Sequence, residues 1–554
     1  LILILVLAGT GYGALKLTRY SWDAVAAYRS PFVTPLPRGA GGPALTRRVV
    51  LVVVDGLRLD ASRAMTTLNS LREQGADFTA WTEEPSLSYP GWTVIASGAT
   101  PEVSGVTTNW YEGRVPVDHL FASAASARLR TGVAGSPGWA MLFDGAVEAR
   151  VLVKDPEDYT DVAAAHRTSA EATEGALDLL AQDVEFLLLH LPGVDILGHG
   201  FGGASPQYAE GVRRTDGHLA QVLQAVDLAT TTLIVTADHG HTDAGGHGGW
   251  ETAVKRVPLV LAGAGIRRGV QGADVRQSDI APTVAALLGI PIPSHSQGRP
   301  LVEALDGDLS TLPRRWAEQQ RNFYSYVAGF LGHLPLAALF TDARLNALHD
   351  DGPDGIVALA DEIAGDYAAG REARLERERR RRLPVAVGAA FLPLIYLALH
   401  GRKRVLLPAA LGAAVFFAVD YGLFFARGGS FSLSVFNSEA MIQRFFQRRL
   451  LDAAVAVSAG ALLAGLLTAR GGMGDAARAG LDTGMLTGYA LLLQVLYFFW
   501  RWDIAFAWYL PDLRAGFKYY LDLLKMVPVG VLAPGYMLVA VLGRGIARTL
   551  FAFR

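Results

Sequence analysis

The chain of 554 residues is too long for one ordinary domain, so two or more regions are expected. Hydrophobic residues make up 51% and charged residues 18%, a mixture that suits a water-exposed domain joined to membrane spans better than either alone. A formal net charge of −2 gives no electrostatic footprint for nucleic acid, and the lack of cysteine excludes disulfides, thiolate metal sites and cysteine nucleophiles.

The chain opens on LILILVLAGTGYGALKL, an apolar run of about 15 residues that predicts the end of an anchor helix over 1–18, completed by residues upstream of Leu1. A signal-peptide core is the alternative. Residues 19–44, with PFVTPLPRGAGGP, read as a linker rich in proline and glycine. VVLVVVDG (Val49–Gly56) is a continuous β-branched run, the pattern of a strand buried on both faces of a parallel sheet. Similar runs recur in VEFLLLHLPG and TTLIVTADHG, separated by stretches with helical spacing such as SAEATEGALDLLAQ. This alternation predicts a doubly wound α/β domain over 45–315, with ligands bound just beyond the strand C-termini.

Residues 316–382 read as a mainly helical connector ending in REARLERERRRRLP. Such a run reads as a solvated helix face, and its place directly before an apolar span also suits anionic lipid headgroups. Residues 383–554 read as a transmembrane bundle of about five helices, with spans near Leu383–Leu399, Val405–Ala426, Leu450–Ala469, Leu481–Trp500 and Leu521–Leu542. NSEAMIQRFFQRR (437–449) reads as an interfacial helix, with a plain connecting loop the alternative. The basic loop GRKR (401–404) and the tail with Arg544, Arg548 and Arg554 would be cytoplasmic if the α/β domain lay outside, whereas the arginine run before the second span points the other way. The expectation is a multi-pass protein of the cell membrane with an extracytoplasmic α/β domain.

The chemistry concentrates at the strand ends. Without cysteine, a divalent metal would take carboxylate oxygen and imidazole nitrogen. Asp55 ends the first run; Asp195 and His199 lie in PGVDILGHGFGG; Asp238 and His239 end another run; and His247 sits in GGHGG. Asp195 and His199 are four apart, so a helical turn there projects both from one face. Singly, each reads as a cap, a turn residue or a satisfied polar group; six at strand ends suggest two metals sharing a site. Ser88, in PSLSYPGW, precedes a helical stretch, so its hydroxyl would stand at a helix N-terminus, as either an ordinary cap or a group facing phosphate.

In order, Asp55 in VVVDG, Ser88 in PSLSYPGW, Asp195 and His199 in DILGH, Asp238 and His239 in ADHG, and His247 in GGHGG resemble the metal and nucleophile pattern of the alkaline phosphatase superfamily, with the type I phosphodiesterase/nucleotide pyrophosphatase branch the most similar, over residues 48–300. The resemblance implies an alkaline-phosphatase-like sheet with helices on both faces. It also implies two divalent metal ions, zinc by the ligand set with manganese the alternative. Asp195, His199 and His247 would hold one ion; Asp55, Asp238 and His239 would hold the other, with Ser88 as the nucleophile bridging toward it. Asn109, 21 residues after Ser88, falls where that branch places an asparagine for a phosphoryl oxygen. Departures are Ser88 and Gly91, where the branch usually has threonine and asparagine. Trp92 stands where a sulfatase would carry arginine, which disfavours that activity. His241 and Asp243 are expected behind the ligands, and Trp110 and Tyr111 either flank a headgroup or simply pack. The layout of anchor, catalytic domain and late bundle is similar to that of the GPI ethanolamine phosphate transferases.

The sequence therefore predicts a membrane-embedded two-metal phosphodiesterase or phosphotransferase, acting on phosphoesters such as lipid headgroups through a phosphoserine at Ser88. A phosphomonoesterase of the same superfamily is one alternative. Another is a transport or lipid-binding bundle with a degenerate sensor domain, disfavoured because few intramembrane charges beyond Asp420 and Asp452 stand out.

Overall fold

The computed structural model describes residues 2–400 and 403–552. Gly401 and Arg402 of the GRKR loop, and Arg554 of the tail, lie outside the described residues. The chain divides into two compact units: one holds Ala26–Arg374 with Ala507–Tyr509, the other the chain up to Val25, Leu375–Phe506 and the chain from Leu510 onward.

The first unit is built on a nine-stranded mixed sheet with β1 (Arg48–Val54), β2 (Ala76–Trp81), β3 (Thr131–Gly135), β4 (Ala149–Leu152), β5 (Phe186–Leu191), β6 (Thr231–Thr236), β7 (Arg256–Gly263), β8 (Val270–Gln271) and β9 (Val275–Arg276). The order is β4-β3-β5-β1-β6-β7-β2-β8, with β9 also pairing to β2. The three apolar runs conspicuous in the sequence become the adjacent parallel strands β5, β1 and β6, whose side chains are almost wholly buried. Each such Val or Leu contributes on the order of 1.5–3 kcal/mol when removed from water, so register here is strongly fixed. β7 runs antiparallel to both β6 and β2, unlike the parallel pattern expected. Only a four-residue helix, Thr252–Lys255, interrupts the loop from β6 to β7, too little for the crossover that parallel strands need.

Helices α1 (Ile2–Ala26), α2 (Ser88–Ser97), α3 (Val162–Ala181) and α4 (Gly193–Phe201) are followed, in the last third of the chain, by α5 (Asp342–His400), α6 (Lys403–Ala426), α7 (Glu439–Leu467), α8 (Met473–Trp502), α9 (Leu513–Val531) and α10 (Ala533–Ala552). Among the described residues five helices are long and apolar enough to cross a membrane, and the pair α9–α10 makes a sixth if counted as one span. That pair bends by 68° where a single span had been expected over Leu521–Leu542. Pro534, just beyond the break, has no N–H to continue the helix. The stretch read as an interfacial helix is continuous with its span: Ser438 caps α7 by accepting from Met441 N–H, and no proline follows before Leu467.

Within the second unit, α5 and α8 run antiparallel, with Tyr489 donating to the Ala390 carbonyl at 3.1 Å and Tyr396 to Asp482 at 3.4 Å. A Cβ at Gly412 would meet the Gly460 carbonyl at 2.5 Å, so α6 and α7 approach at a distance only glycine permits. The sequence undercounted the bundle's charges. Besides Asp420 and Asp452, the side chains of Arg449, Asp522 and Lys525 are buried there. Arg449 binds Asp420 and lies 3.1 Å from Asp452, while Lys525 lies 3.2 Å from both Asp420 and Asp522. Each buried acid thus has a basic partner, the condition on which buried charge is tolerated.

Candidate active site

Strand register assembles the site. Val53 of β1 faces His190 of β5 and Thr236 of β6, so Asp55, Asp238 and the start of α4 leave the sheet together at its C-terminal edge. Gly56 turns the chain there with φ +71°, and a Cβ on it would fall 2.9 Å from the Asp195 Cα. One helical turn in α4 carries Asp195 and His199, whose carboxylate and Nε2 lie 3.4 Å apart.

Two groups of three result, each with its ligating atoms within 4.8 Å of one another: Asp195, His199 and His247; and Asp55, Asp238 and His239. A third grouping, Asp195 with His239 and His241, overlaps them. Carbonyl groups fix two ring orientations. The Nδ1–H of His247 donates to Ser86 O at 3.0 Å and that of His239 to Gly240 O at 3.2 Å, which leaves both Nε2 atoms as lone-pair donors facing inward. His247 Nε2 lies 3.1 Å from His199 Nε2, and His239 Nε2 lies 3.4 Å from Asp55 Oδ1.

The electrostatics suit cations. Burial, then the charges of Asp238 and Asp195, raise the Asp55 carboxyl well above its ordinary range, and burial also raises Asp238. Asp195 is buried as well, yet His199, His241 and His247 hold it well below the usual range. Burial first, and then the neighbouring His239, press His247 far down toward the neutral imidazole. Asp55 Oδ1 is buried and accepts no hydrogen bond among the described residues. An orphaned carboxylate oxygen facing an imidazole lone pair fits a divalent ion between them, and the mixed N/O donors suit zinc or manganese.

Ser88 is the first residue of α2, its Oγ 3.4 Å from His239 Nε2 and 3.5 Å from Asn109 Nδ2. Asn109 is held in turn by the Tyr89 N–H, which donates to its Oδ1 at 3.0 Å. Asp238 receives three N–H groups: Trp92 Nε1 at 2.8 Å, His239 N at 2.9 Å and Gly56 N at 3.2 Å. Trp92, at the position where a sulfatase would have arginine, therefore orients a carboxylate and stacks on Trp139 at 4.9 Å. Gly91 sits where a side chain would crowd Asp238, with its Cβ 3.2 Å from that residue's Cβ.

The remaining candidates fall around this centre. His241 Nε2 donates to Asp195 Oδ1 at 2.7 Å, and burial lowers its pKa to about 4. Asp243 is exposed and pairs with Arg58; Tyr111 donates to the Arg114 carbonyl, and Trp110 is exposed. Two residues escaped the sequence reading. His190 Nε2 donates to Asp55 Oδ2 at 2.8 Å while its Nδ1 accepts from Ser136 N–H at 3.4 Å, and burial lowers its pKa to about 3. Its only sequence signal is a polar residue inside an apolar strand. Asp155, three residues past β4, is exposed at the mouth, yet it is hemmed in closely enough that desolvation, and then the Asp195 charge, lift it to about 6. Beside it, the Tyr159 ring lies 5.6 Å from that of His199.

Clustered carboxylates and imidazoles around a serine in the first turn of a helix, at the C-terminal edge of a largely parallel sheet, suit the phosphoester-acting class of α/β folds. Residues 49–271 match the family model described as type I phosphodiesterase / nucleotide pyrophosphatase. The chain is 28% identical over 373 residues to GPI ethanolamine phosphate transferase 1 of Emericella nidulans, covering 54% of this chain and 40% of that protein. It is 28% identical over 319 residues to the Homo sapiens protein of the same name, covering 49% and 33%. The matched stretches thus span well under half the length of these relatives. Among solved structures, the alkaline phosphatase PafA aligns with a TM-score of 0.40 at 13% identity, covering 49% of this chain and 100% of that one.

Proposed function

We propose that the protein is a membrane-embedded, metal-dependent phosphodiesterase or phosphotransferase that removes or transfers an ethanolamine-phosphate-type group through a phosphoserine at Ser88, outside the cytoplasm. The observation that carries this reading is Ser88 Oγ, set at the start of α2 between His239 and Asn109 and beside two three-residue ligand groups. Asp195, His199 and His247 would hold one ion, and Asp55, Asp238 and His239 the other. When bound, such ions lower the pKa of a neighbouring hydroxyl and offset charge on phosphoryl oxygens.

The chain's own residues supply the rest. Ser88 Oγ attacks phosphorus, the P–O bond to the leaving alcohol breaks, and that alcohol departs with the proton. Asn109 Nδ2, aimed at the Ser88 side, donates to an equatorial phosphoryl oxygen, and the N-terminus of α2 adds its positive pole. Water or an acceptor alcohol then attacks the phosphoserine and restores the hydroxyl. Asp155 repels a bare phosphate but attracts an ammonium, with the Tyr159 ring beside it, which favours a cationic headgroup such as ethanolamine.

Lipid mass spectrometry of membranes incubated with the purified full chain, or with its Ser88→Ala variant, tests the proposal. The wild type should remove a phosphoryl headgroup and mark any acceptor, and the variant should lose at least about a thousandfold in rate with metal content intact. Undiminished turnover by the variant would overturn the mechanism.

A further inference from the structure

Aromatic side chains at one end of the second unit leave room among themselves. A cavity of about 100 Å³ lies there, walled by the last turns of α1, the first turns of α9, Phe446 of α7 and the loop between α6 and α7. Trp22, Tyr520, Phe446, Phe436 and Phe517 follow one another around it, with successive ring centroids 6.4, 5.1, 5.7 and 5.7 Å apart. Rings with two side-chain torsions, rooted on separate elements and held by these contacts, do not turn inward to fill a gap as methionine would. Gly516, on the α9 wall, adds no side chain, and a Cβ there would meet only Pro511 Cγ, at 3.7 Å. Whereas Gly412 is pressed against Gly460, Gly516 faces open space.

The wall is almost wholly carbon and carries no ionised side chain. The hydroxyls of Ser21 and Tyr519 are spent on each other, 3.1 Å apart, and Ser21 also donates to the Leu17 carbonyl at 2.8 Å. Water needs about two to four polar partners per molecule, so this space suits an apolar occupant. Its place among the helices names that occupant. α1 and α7 are each long and apolar enough to cross a membrane, and the cavity lies at the end of α1 and the start of α9. Trp22, Tyr519 and Tyr520 join an apolar ring to a polar tip, the residue types that gather where the hydrocarbon layer meets the headgroups. A pocket just inside that boundary meets the part of a lipid tail nearest its headgroup. Trp22 is 38% exposed, which leaves the wall open on its side.

We propose that this cavity binds one hydrocarbon chain of a bilayer lipid, lodged beside Gly516 and clasped by the Trp22 and Tyr520 rings. The site lies within the second unit, is separate from Ser88 and does not depend on the proposed reaction. Lacking charge, it selects the chain and not the headgroup.

The test is photolabelling of the full chain in nanodiscs of dioleoylphosphatidylcholine, doped with a phosphatidylcholine that carries a diazirine in its acyl chain near the glycerol. Peptide mass spectrometry then locates the label. Phe506 and Phe517 line the cavity and are otherwise buried, so in the wild type they should be labelled alongside Leu538, which is exposed on α10 and serves as the reference. Gly516→Leu, which fills the space, should lower the label at Phe506 and Phe517 relative to Leu538 about tenfold, the loss of about two buried methylene groups. Gly422→Leu, on α6 where a Cβ would meet nothing within 4 Å, makes the same gain in helix propensity and should leave the label unchanged. Absence of label from Phe506 and Phe517 in the wild type would overturn the proposal, and that result does not depend on either variant folding. Equal label in all three proteins, equal loss in both variants, or crosslinking of a second protein chain at those residues in place of lipid would overturn it as well.

Discussion

Two buried clusters of charge in this chain meet the same physical problem differently. In the bundle, Asp420, Asp452 and Asp522 are each answered by Arg449 or Lys525. At the sheet edge, Asp55, Asp195 and Asp238 are gathered with histidines, and no lysine or arginine belongs to the groups among the described residues. Buried acids without internal cations call for external ones. The first cluster joins helices; the second, on the proposed reading, is the one that takes metal.

Removing a sheet-edge ligand should break the comparison most sharply. Exposure to a chelator, or His247→Ala, is expected to lower phosphodiester turnover by about a thousandfold or more, read by initial rates, with activity returning to the wild type on adding zinc or manganese. Next, Asp420→Ala should destabilise the chain by about 3–5 kcal/mol, because Arg449 and Lys525 lose a shared partner. Asp55→Asn in the metal-free protein should instead raise the unfolding temperature by relieving carboxylate repulsion; calorimetry of both variants checks the opposite signs. A lower unfolding temperature in metal-free Asp55→Asn would remove the distinction.

His190→Asn should cost about 10–100-fold in metal affinity or turnover, because it removes the N–H that orients Asp55 while sparing every candidate ligand. Metal titration of the variant measures this. The smallest effect belongs to His119, which caps the helix Leu120–Ser126 by accepting from the Ala122 N–H at 3.3 Å. Burial lowers its pKa to about 4. The unfolded chain takes up the proton near the ordinary value of about 6.5, so this group costs nothing above that pH. Stability is lost progressively as pH falls from about 6.5 to 4, by roughly 1–3 kcal/mol in all. His119→Asn keeps a capping oxygen and should lack this part of the acid dependence in pH-resolved thermal melts.

Local chemistry was legible in the sequence, and through-space chemistry was not. Asp55, Asp238 and the Asp195–His199 pair stand out because each follows an apolar run, and strand register alone then brings them to one edge. His190 lies inside such a run, and its contact with Asp55 depends on which strands are neighbours. The reversal at β7 left no mark in periodicity, since a fully buried strand reads alike in both directions. Among the arginines before the second span, Arg379 and Arg382 are buried while Arg380 is exposed, a division that a run of like residues does not show. The charges of Arg449, Asp522 and Lys525 were passed over because a linear hydropathy reading does not reveal that they face one another.

Metal content of the purified full chain tests the central claim most directly. Elemental mass spectrometry should find two divalent ions per chain, fewer in His247→Ala and in Asp55→Asn, and two still in Ser88→Ala and Arg449→Lys. A wild-type chain that binds no metal under saturating zinc or manganese, or that loses its metal on bundle substitution while keeping it in His247→Ala, would contradict the account.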